Sequence, residues 1–285
     1  MKHVLFLFVS FILSTTLFGQ SKPAYVIYNS KGKKVSFKKL LKKADQSNVI
    51  LFGELHDNPI AHWLQLELTK ALDKNNDLVL GAEMFEKDNQ DELNDYLSGK
   101  IDGKALDSLA RLWVNYWTDY APLVDYAKEH EIQFIATNIP RRFANSVYKN
   151  GGFGALDVLS DEEKSWVAPL PVPYDSSLST YQDILVMMGD HGSPDLVKAQ
   201  AIKDATMGHS IAQYISDSST FIHFNGAFHS NYYQGILWYL NQYSNSVNAC
   251  TISTVSQSDI KKLDKEHKGK ADFIICVDED MTSTY

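Results

Sequence analysis

Short, continuous apolar runs recur along this chain, and four of them end in clusters of polar, ligand-type residues. Val49 to Phe52 runs into Gly53-Glu54-Leu55-His56, and Leu78 to Ala82 into Glu83. Phe134 to Thr137 runs into Asn138, Arg141 and Arg142, and Phe221 to Phe224 into Asn225-Gly226-Ala227-Phe228-His229. Unbroken apolar runs of this length suit strands covered on both faces. Between the first two, Ile60, Trp63, Leu64, Leu68, Ala71 and Leu72 recur at helical spacing, with Asp57 or Asn58 placed to cap and Pro59 at the first position. That is a βαβ unit, whose strands lie parallel. If all four runs are parallel strands of one sheet, their polar ends meet along the edge where α/β sheets bind ligands.

The rest of the pattern fills in around that sheet. Tyr25 to Tyr28 and Lys34 to Phe37 flank Asn29-Ser30-Lys31-Gly32 and predict an N-terminal β-hairpin. Residues 88–131 break the strand–helix alternation with helical, aromatic-rich sequence and predict a helical subdomain inserted over the sheet. A second helical insertion is expected at about 143–216, with helices over 181–188 and 194–215. A helix from about Tyr232 to Tyr243 and strands at Val247 to Val255 and Asp272 to Val277 complete the chain, and the tail from Asp278 is expected to fray into solvent. The fold class is therefore α/β: a mostly parallel β-sheet flanked by helices, in a single domain over 21–285.

Composition narrows the partners. Of 285 residues, 44% are hydrophobic, and the formal net charge is −8. There is no arginine-rich stripe, so nucleic acid is not an expected partner. Residues 1–20 carry Lys2, an apolar Val4 to Leu13 run and a small-residue boundary, the pattern of a secretory signal peptide. Export to a periplasmic or extracellular compartment is the expectation, and no cysteine stands near the boundary to anchor a lipoprotein. The only two cysteines, Cys250 and Cys276, fall in separate β-rich runs, which leaves a disulfide and two buried thiols both open.

The candidate chemistry sits at the strand ends. Glu54 and His56 lie two apart at a strand mouth, where a carboxylate and an imidazole can hold a divalent metal or act as base and orienter. Glu83 follows an apolar run and needs a partner. His56 and His229 each end a Gly-x-x-His motif directly after a strand. Arg141, Arg142 and Asn138 share one strand end and suit a carboxylate or phosphate. Gln200 and Asp204 lie four apart on one helix face, placed to support a site. His62, His191, His209 and His223 are expected to be core or surface histidines. No nucleophile elbow, reactive-cysteine context or phosphate-binding loop is present, which argues against serine and cysteine hydrolases.

Taken together, Gly53-Glu54-Leu55-His56-Asp57-Asn58-Pro59, Gly81-Ala82-Glu83-Met84-Phe85, Trp117 to Pro122, Asn138-Ile139-Pro140-Arg141-Arg142, Gln200 with Asp204, and Gly226 to His229 resemble the ChaN-like haem-binding uptake proteins. Their wider group contains the Tiki metalloproteases and the erythromycin esterases. The resemblance spans about Val49 to His229. It implies haem as ligand and a role in haem or iron acquisition, with an outer-membrane uptake partner and a homodimer as further expectations. It maps His56, Tyr120, Asn138, Arg141, Arg142, Gln200, Asp204 and His229 onto a cofactor pocket. Tyr232 and Tyr233, like Tyr120, lie near the motifs as candidate iron ligands. By analogy with the wider group, Glu54, His56, Glu83 and His229 form a metal or catalytic centre, the alternative being a divalent-metal-dependent hydrolase. After His229 the chain continues Ser-Asn-Tyr-Tyr-Gln-Gly, without the family's glycine-rich continuation, so the pocket edge is expected to differ there.

Overall fold

The computed structural model describes residues 22–216 and 218–285; the expected signal peptide lies outside them. Seven strands form one sheet in the order β1-β7-β6-β2-β5-β3-β4. They are β1 (Tyr25–Asn29), β2 (Val49–Glu54), β3 (Asp77–Glu86), β4 (Gln133–Asn138), β5 (Ser219–Gly226), β6 (Ala249–Gln257) and β7 (Phe273–Asp278). Only the β1–β7 pair is antiparallel. The β2 and β3 strands are parallel, as the βαβ pattern requires, but β5 is inserted between them.

Helices cover both faces, and side-chain alternation along the strands sorts them. Ile50 and Phe52 of β2 face one way, into a core with Leu64, Leu68 and Leu72 of α2 (Pro59–Leu72). Val49 and Leu51 face the other way, against Met207 and Ile211 of α9 (Pro194–Ala212) and Leu237 and Leu240 of α10 (Ile236–Tyr243). Each such fully buried side chain contributes about 1.5–3 kcal/mol. The N-terminus of α2 is fixed by Asn58, whose side-chain oxygen accepts from the N–H groups of Ile60 and Ala61 at 3.1 and 3.0 Å.

The stretch 88–131 has no core of its own. It folds as α3 (Gln90–Leu97), α4 (Gly103–Leu109), one wide turn (Tyr116–Tyr120) and α5 (Ala121–Glu129). Leu93, Leu106, Tyr116 and Tyr120 join the core of the sheet. The second insertion contains α6 (Arg141–Lys149), α7 (Asp161–Ser165), α8 (Ser179–Met188) and α9.

Three local expectations change. The second arm of the N-terminal hairpin shrinks to a single bridge between Tyr28 and Lys34, because Ser36 caps α1 (Phe37–Ala44) and turns the chain into a helix; the edge of β1 is filled by β7 instead. The helix expected from Tyr232 begins at Ile236, since Tyr232 and Tyr233 take left-handed φ values of 58° and 62°. The tail does not fray: Thr284 donates its N–H to the Asp57 carbonyl at 2.9 Å and its hydroxyl to Asp119 Oδ2 at 2.6 Å. Cys250 and Cys276 are free and buried, in different cores, with Cys276 opposite Val255 in the β6–β7 register, five residues along from Cys250.

Candidate functional site

The ends of β2, β3 and β5 meet as expected. In the β2–β5 register Gly53 pairs with Asn225, and Glu54 with Gly226, so the two Gly-x-x-His motifs leave the sheet side by side. Their glycines let the motifs interlock. A Cβ on Gly53 would sit 2.8 Å from the Ala227 Cα, and one on Gly226 would sit 2.7 Å from His56 Nε2. Neither approach leaves room for a side chain.

Two acid–base clusters result. In the first, Glu54 is buried and fully engaged. Its Oε1 accepts from the Tyr120 hydroxyl at 2.7 Å and lies 2.9 Å from His56 Nδ1; its Oε2 accepts from the Gln65 amide at 2.5 Å. The network continues through His62, whose Nδ1 lies 3.3 Å from Gln65 Oε1 and whose Nε2 lies 2.9 Å from the His56 carbonyl. Asn115 donates to the same carbonyl and to Asp119. The His56 ring, 4.9 Å from the Trp113 ring, is about one-third exposed to the cavity. Burial would lower its pKa, but the Glu54 hydrogen bond and the charge of Glu83 raise it above the ordinary histidine value.

The second cluster is deeper. His229 Nε2 is 3.1 Å from Glu83 Oε1, and its Nδ1 is 2.5 Å from Asp204 Oδ1. Glu83 Oε2 accepts from the Gly226 N–H at 2.8 Å, and Asp204 Oδ2 from the Tyr181 hydroxyl at 2.9 Å. The Gln200 amide packs against the imidazole, 3.0 and 3.2 Å from its two nitrogens. Burial opposes charge on His229, yet the two carboxylates outweigh it and raise the ring to about 10. Burial would raise Glu83 as well, but His229, His56 and the Gly226 N–H hold it well below the usual carboxylate range. Asp204 is raised by burial.

Above these clusters opens a cavity of about 920 Å³, within the range of small-molecule sites. Glu54, His56, Glu83 and His229 form its floor. Trp113, Ile139, Ile184, Met187, Met188, Leu196 and Phe228 give it apolar walls, and Arg141, Lys203 and Lys270 add positive charge. None of those three cations has a carboxylate within salt-bridge distance among the described residues. Asn138 lines the wall; its amide nitrogen donates to the Glu83 carbonyl at 2.9 Å, while its buried Oδ1 has no partner.

Four expectations about the site are corrected. Arg142 lies outside the cavity: it pairs with Asp88 and stacks over Phe143 and Trp166. Tyr120 is a buried support for Glu54 rather than a wall; burial and the Glu54 charge push its phenol far above the ordinary value. Tyr232 and Tyr233 point elsewhere, to the Glu266 carbonyl and Asp272. The expected divalent-metal centre is not formed by Glu54, His56, Glu83 and His229, which bond to one another and to neighbours instead of converging on one point. Among the described residues no group of three or more His, Cys, Asp or Glu is arranged to take a metal ion.

The structure also adds Gln65 and Thr69, and it places His62, expected as a core or surface histidine, in the core beside them. His62, Gln65 and Thr69 form a buried polar stripe on the inner side of α2. Their spacing of three and four along an otherwise apolar face is the signal that could have found them. Tyr285, Lys203 and Lys270 reach the cavity from distant parts of the chain and leave no such signal.

Residues 40–240 match the family described as "Haem-binding uptake, Tiki superfamily, ChaN". The chain belongs to that family. The fold agrees: the structure of ChaN of Campylobacter jejuni with cofacial haem superposes with a TM-score of 0.67 at 17% identity, covering 88% of this chain and 96% of that one. The erythromycin esterase EreC in its open conformation has the same fold at a TM-score of 0.51 and 9% identity, over 91% of this chain and 98% of that one. In sequence, the chain is 28% identical over 205 residues to Protein RETICULATA-RELATED 5, chloroplastic, of Arabidopsis thaliana; the match takes in 66% of this chain and 27% of that relative's length.

Proposed function

We propose that the protein is an exported haem-binding protein serving haem or iron acquisition. The observation that carries this is the cavity's combination of apolar walls with three cations that have no carboxylate partner among the described residues, on a chain of the ChaN family. A haem presents a flat apolar ring and two carboxylates. The ring fits between Trp113 and the Ile184, Met187 and Met188 side of α8; the propionates pair with Arg141, Lys203 or Lys270. Haem iron is ligated by histidine, cysteine, methionine or tyrosine. Tyr285 is the one tyrosine lining the cavity among the described residues, and Thr284 ties its segment to Asp57 and Asp119. His56, His229, His267, Met187 and Met188 also line the cavity, but the two floor histidines are held by Glu54, Glu83 and Asp204, and we assign the phenol of Tyr285 as the iron ligand.

The test is an absorbance titration of the protein with hemin, repeated on Tyr285→Phe and on an Arg141→Ala/Lys270→Ala variant. A saturable Soret shift is expected in the parent. Tyr285→Phe should change the position of the band, and the double variant should weaken the affinity. A parent that gives no saturable shift refutes haem binding, and an unchanged Tyr285→Phe spectrum refutes the ligand assignment.

A further inference from the structure

Holding haem gives the floor of this cavity no task, yet the floor is where the acid–base groups are concentrated. His56 and His229 stand on either side of Glu83. The space a Cβ on Gly226 would fill is 2.7 Å from His56 Nε2 and 3.5 Å from Glu83 Oε2, and Glu83 Oε1 is 3.1 Å from His229 Nε2. Each ring is braced from behind at Nδ1, His56 by Glu54 at 2.9 Å and His229 by Asp204 at 2.5 Å. A carboxylate on Nδ1 fixes the ring and stabilises its protonated form, which leaves Nε2–H as the group turned to the floor. Buried ion pairs of this kind add little stability compared with apolar packing. Two of them opening into one cavity is the arrangement expected of a functional acid–base centre.

We propose that the protein removes iron from haem, with His56 and the His229–Glu83 pair delivering the two protons that convert the ring to free-base porphyrin. This rests on the haem-binding reading above. The balance is simple. In ferrous haem two of the four pyrrole nitrogens carry the ring's negative charge. Releasing Fe²⁺ breaks four Fe–N bonds and forms two N–H bonds, so one ferrous haem and two protons give one porphyrin and one Fe²⁺. No electron moves in that step; ferric haem must first be reduced by one electron from an added reductant. His56 gives its Nε2 proton directly. His229 gives its proton through Glu83, which also lines the cavity. A pyrrole nitrogen that has lost its metal is a much stronger base than imidazole, so both transfers run downhill. Both rings then regain protons from water at the mouth.

The full chain is mixed with hemin under anaerobic conditions with dithionite as reductant and ferrozine to trap Fe²⁺, beside a protein-free control. Porphyrin fluorescence and ferrozine-bound iron should rise together in equal amounts, above the control. His56→Gln and His229→Gln should release iron, per haem bound as read from the Soret band, about a hundredfold more slowly or worse, as befits loss of a general acid. A Soret shift in the parent with no porphyrin released overturns demetallation while leaving haem binding intact. Release by both variants at the parent's rate overturns the assignment of the protons. Absence of any Soret shift in the parent removes the haem reading and this inference with it. His56 is partly exposed, so its variant still decides the question if His229→Gln does not fold.

Discussion

Gly226 has an ordinary φ of −54°, so what it supplies is space rather than backbone freedom. A methyl group there would lie 2.7 and 2.8 Å from two atoms of the His56 ring. Gly226→Ala should therefore push the ring off Glu54 and cost about 1–3 kcal/mol, the usual range for overpacking, measured by urea unfolding. His223 makes a different prediction. It is fully buried between Thr137 and Asn225, and burial lowers its pKa to about 4. Between that value and the ordinary 6.5, the unfolded chain takes up a proton that the native chain refuses, so stability falls as pH drops through this window, by about 3 kcal/mol in all. His223→Gln should flatten that part of a stability–pH curve; an unchanged slope would show that His223 is not its source. His229 acts in the opposite sense: its stabilisation is present below 6.5 and is lost as pH rises through about 10. At this scale the sequence was most readable where the chain was most constrained. Two glycines three residues before two histidines marked the floor. His62 and Gln65 stayed hidden because a polar residue on an amphipathic helix looks the same whether it faces water or a buried carboxylate.

Helix α8 forms one wall of the cavity, yet its last turn is wet: Val186 is 79% exposed and Met187 73%. An apolar wall of this kind gains cover when a flat apolar ligand binds. Met187→Ser with Met188→Ser should thus weaken hemin binding about tenfold or more, while thermal stability stays within about 0.5 kcal/mol, as for most surface changes. Equal affinity in the variant would place the ring elsewhere. The terminal segment was misread from sequence for a related reason. Asp278-Glu279-Asp280 suggested a solvated tail, but the bonds that hold Thr284 run to residues 57 and 119, and contacts of that range have no local sequence trace. The helix after β2, in contrast, was found nearly to the residue, because Asn58 and Pro59 announced its start.

Across the whole molecule, the sheet makes the site by topology. The parallel strands were legible as apolar runs, but the insertion of β5 between β2 and β3 was not, because strand order is set by pairing between segments more than a hundred residues apart. That insertion brings Glu83 beside His229, and the ends of β2, β3, β4 and β5 all lie under one cavity. The chain is acidic overall, with a formal charge of −8, so the cations at the mouth stand out against a field of the opposite sign. Hemin affinity should fall as salt is raised, and Arg141→Ala/Lys203→Ala/Lys270→Ala should both weaken binding and reduce that salt dependence. A titration at two ionic strengths checks this; equal salt slopes in parent and variant would exclude these three as the propionate partners.

The buried state of the two thiols has a practical side. Burial raises both Cys250 and Cys276 to about 12, and thiol reagents attack the thiolate. The native surface is thus blind to maleimide dyes. A cysteine introduced at Val186 would be the sole labelled position, with no native thiol to remove first. A dye placed there would sit beside the mouth and should be quenched by an arriving porphyrin, so that ligand entry and departure could be timed in a stopped-flow instrument on an otherwise unaltered chain.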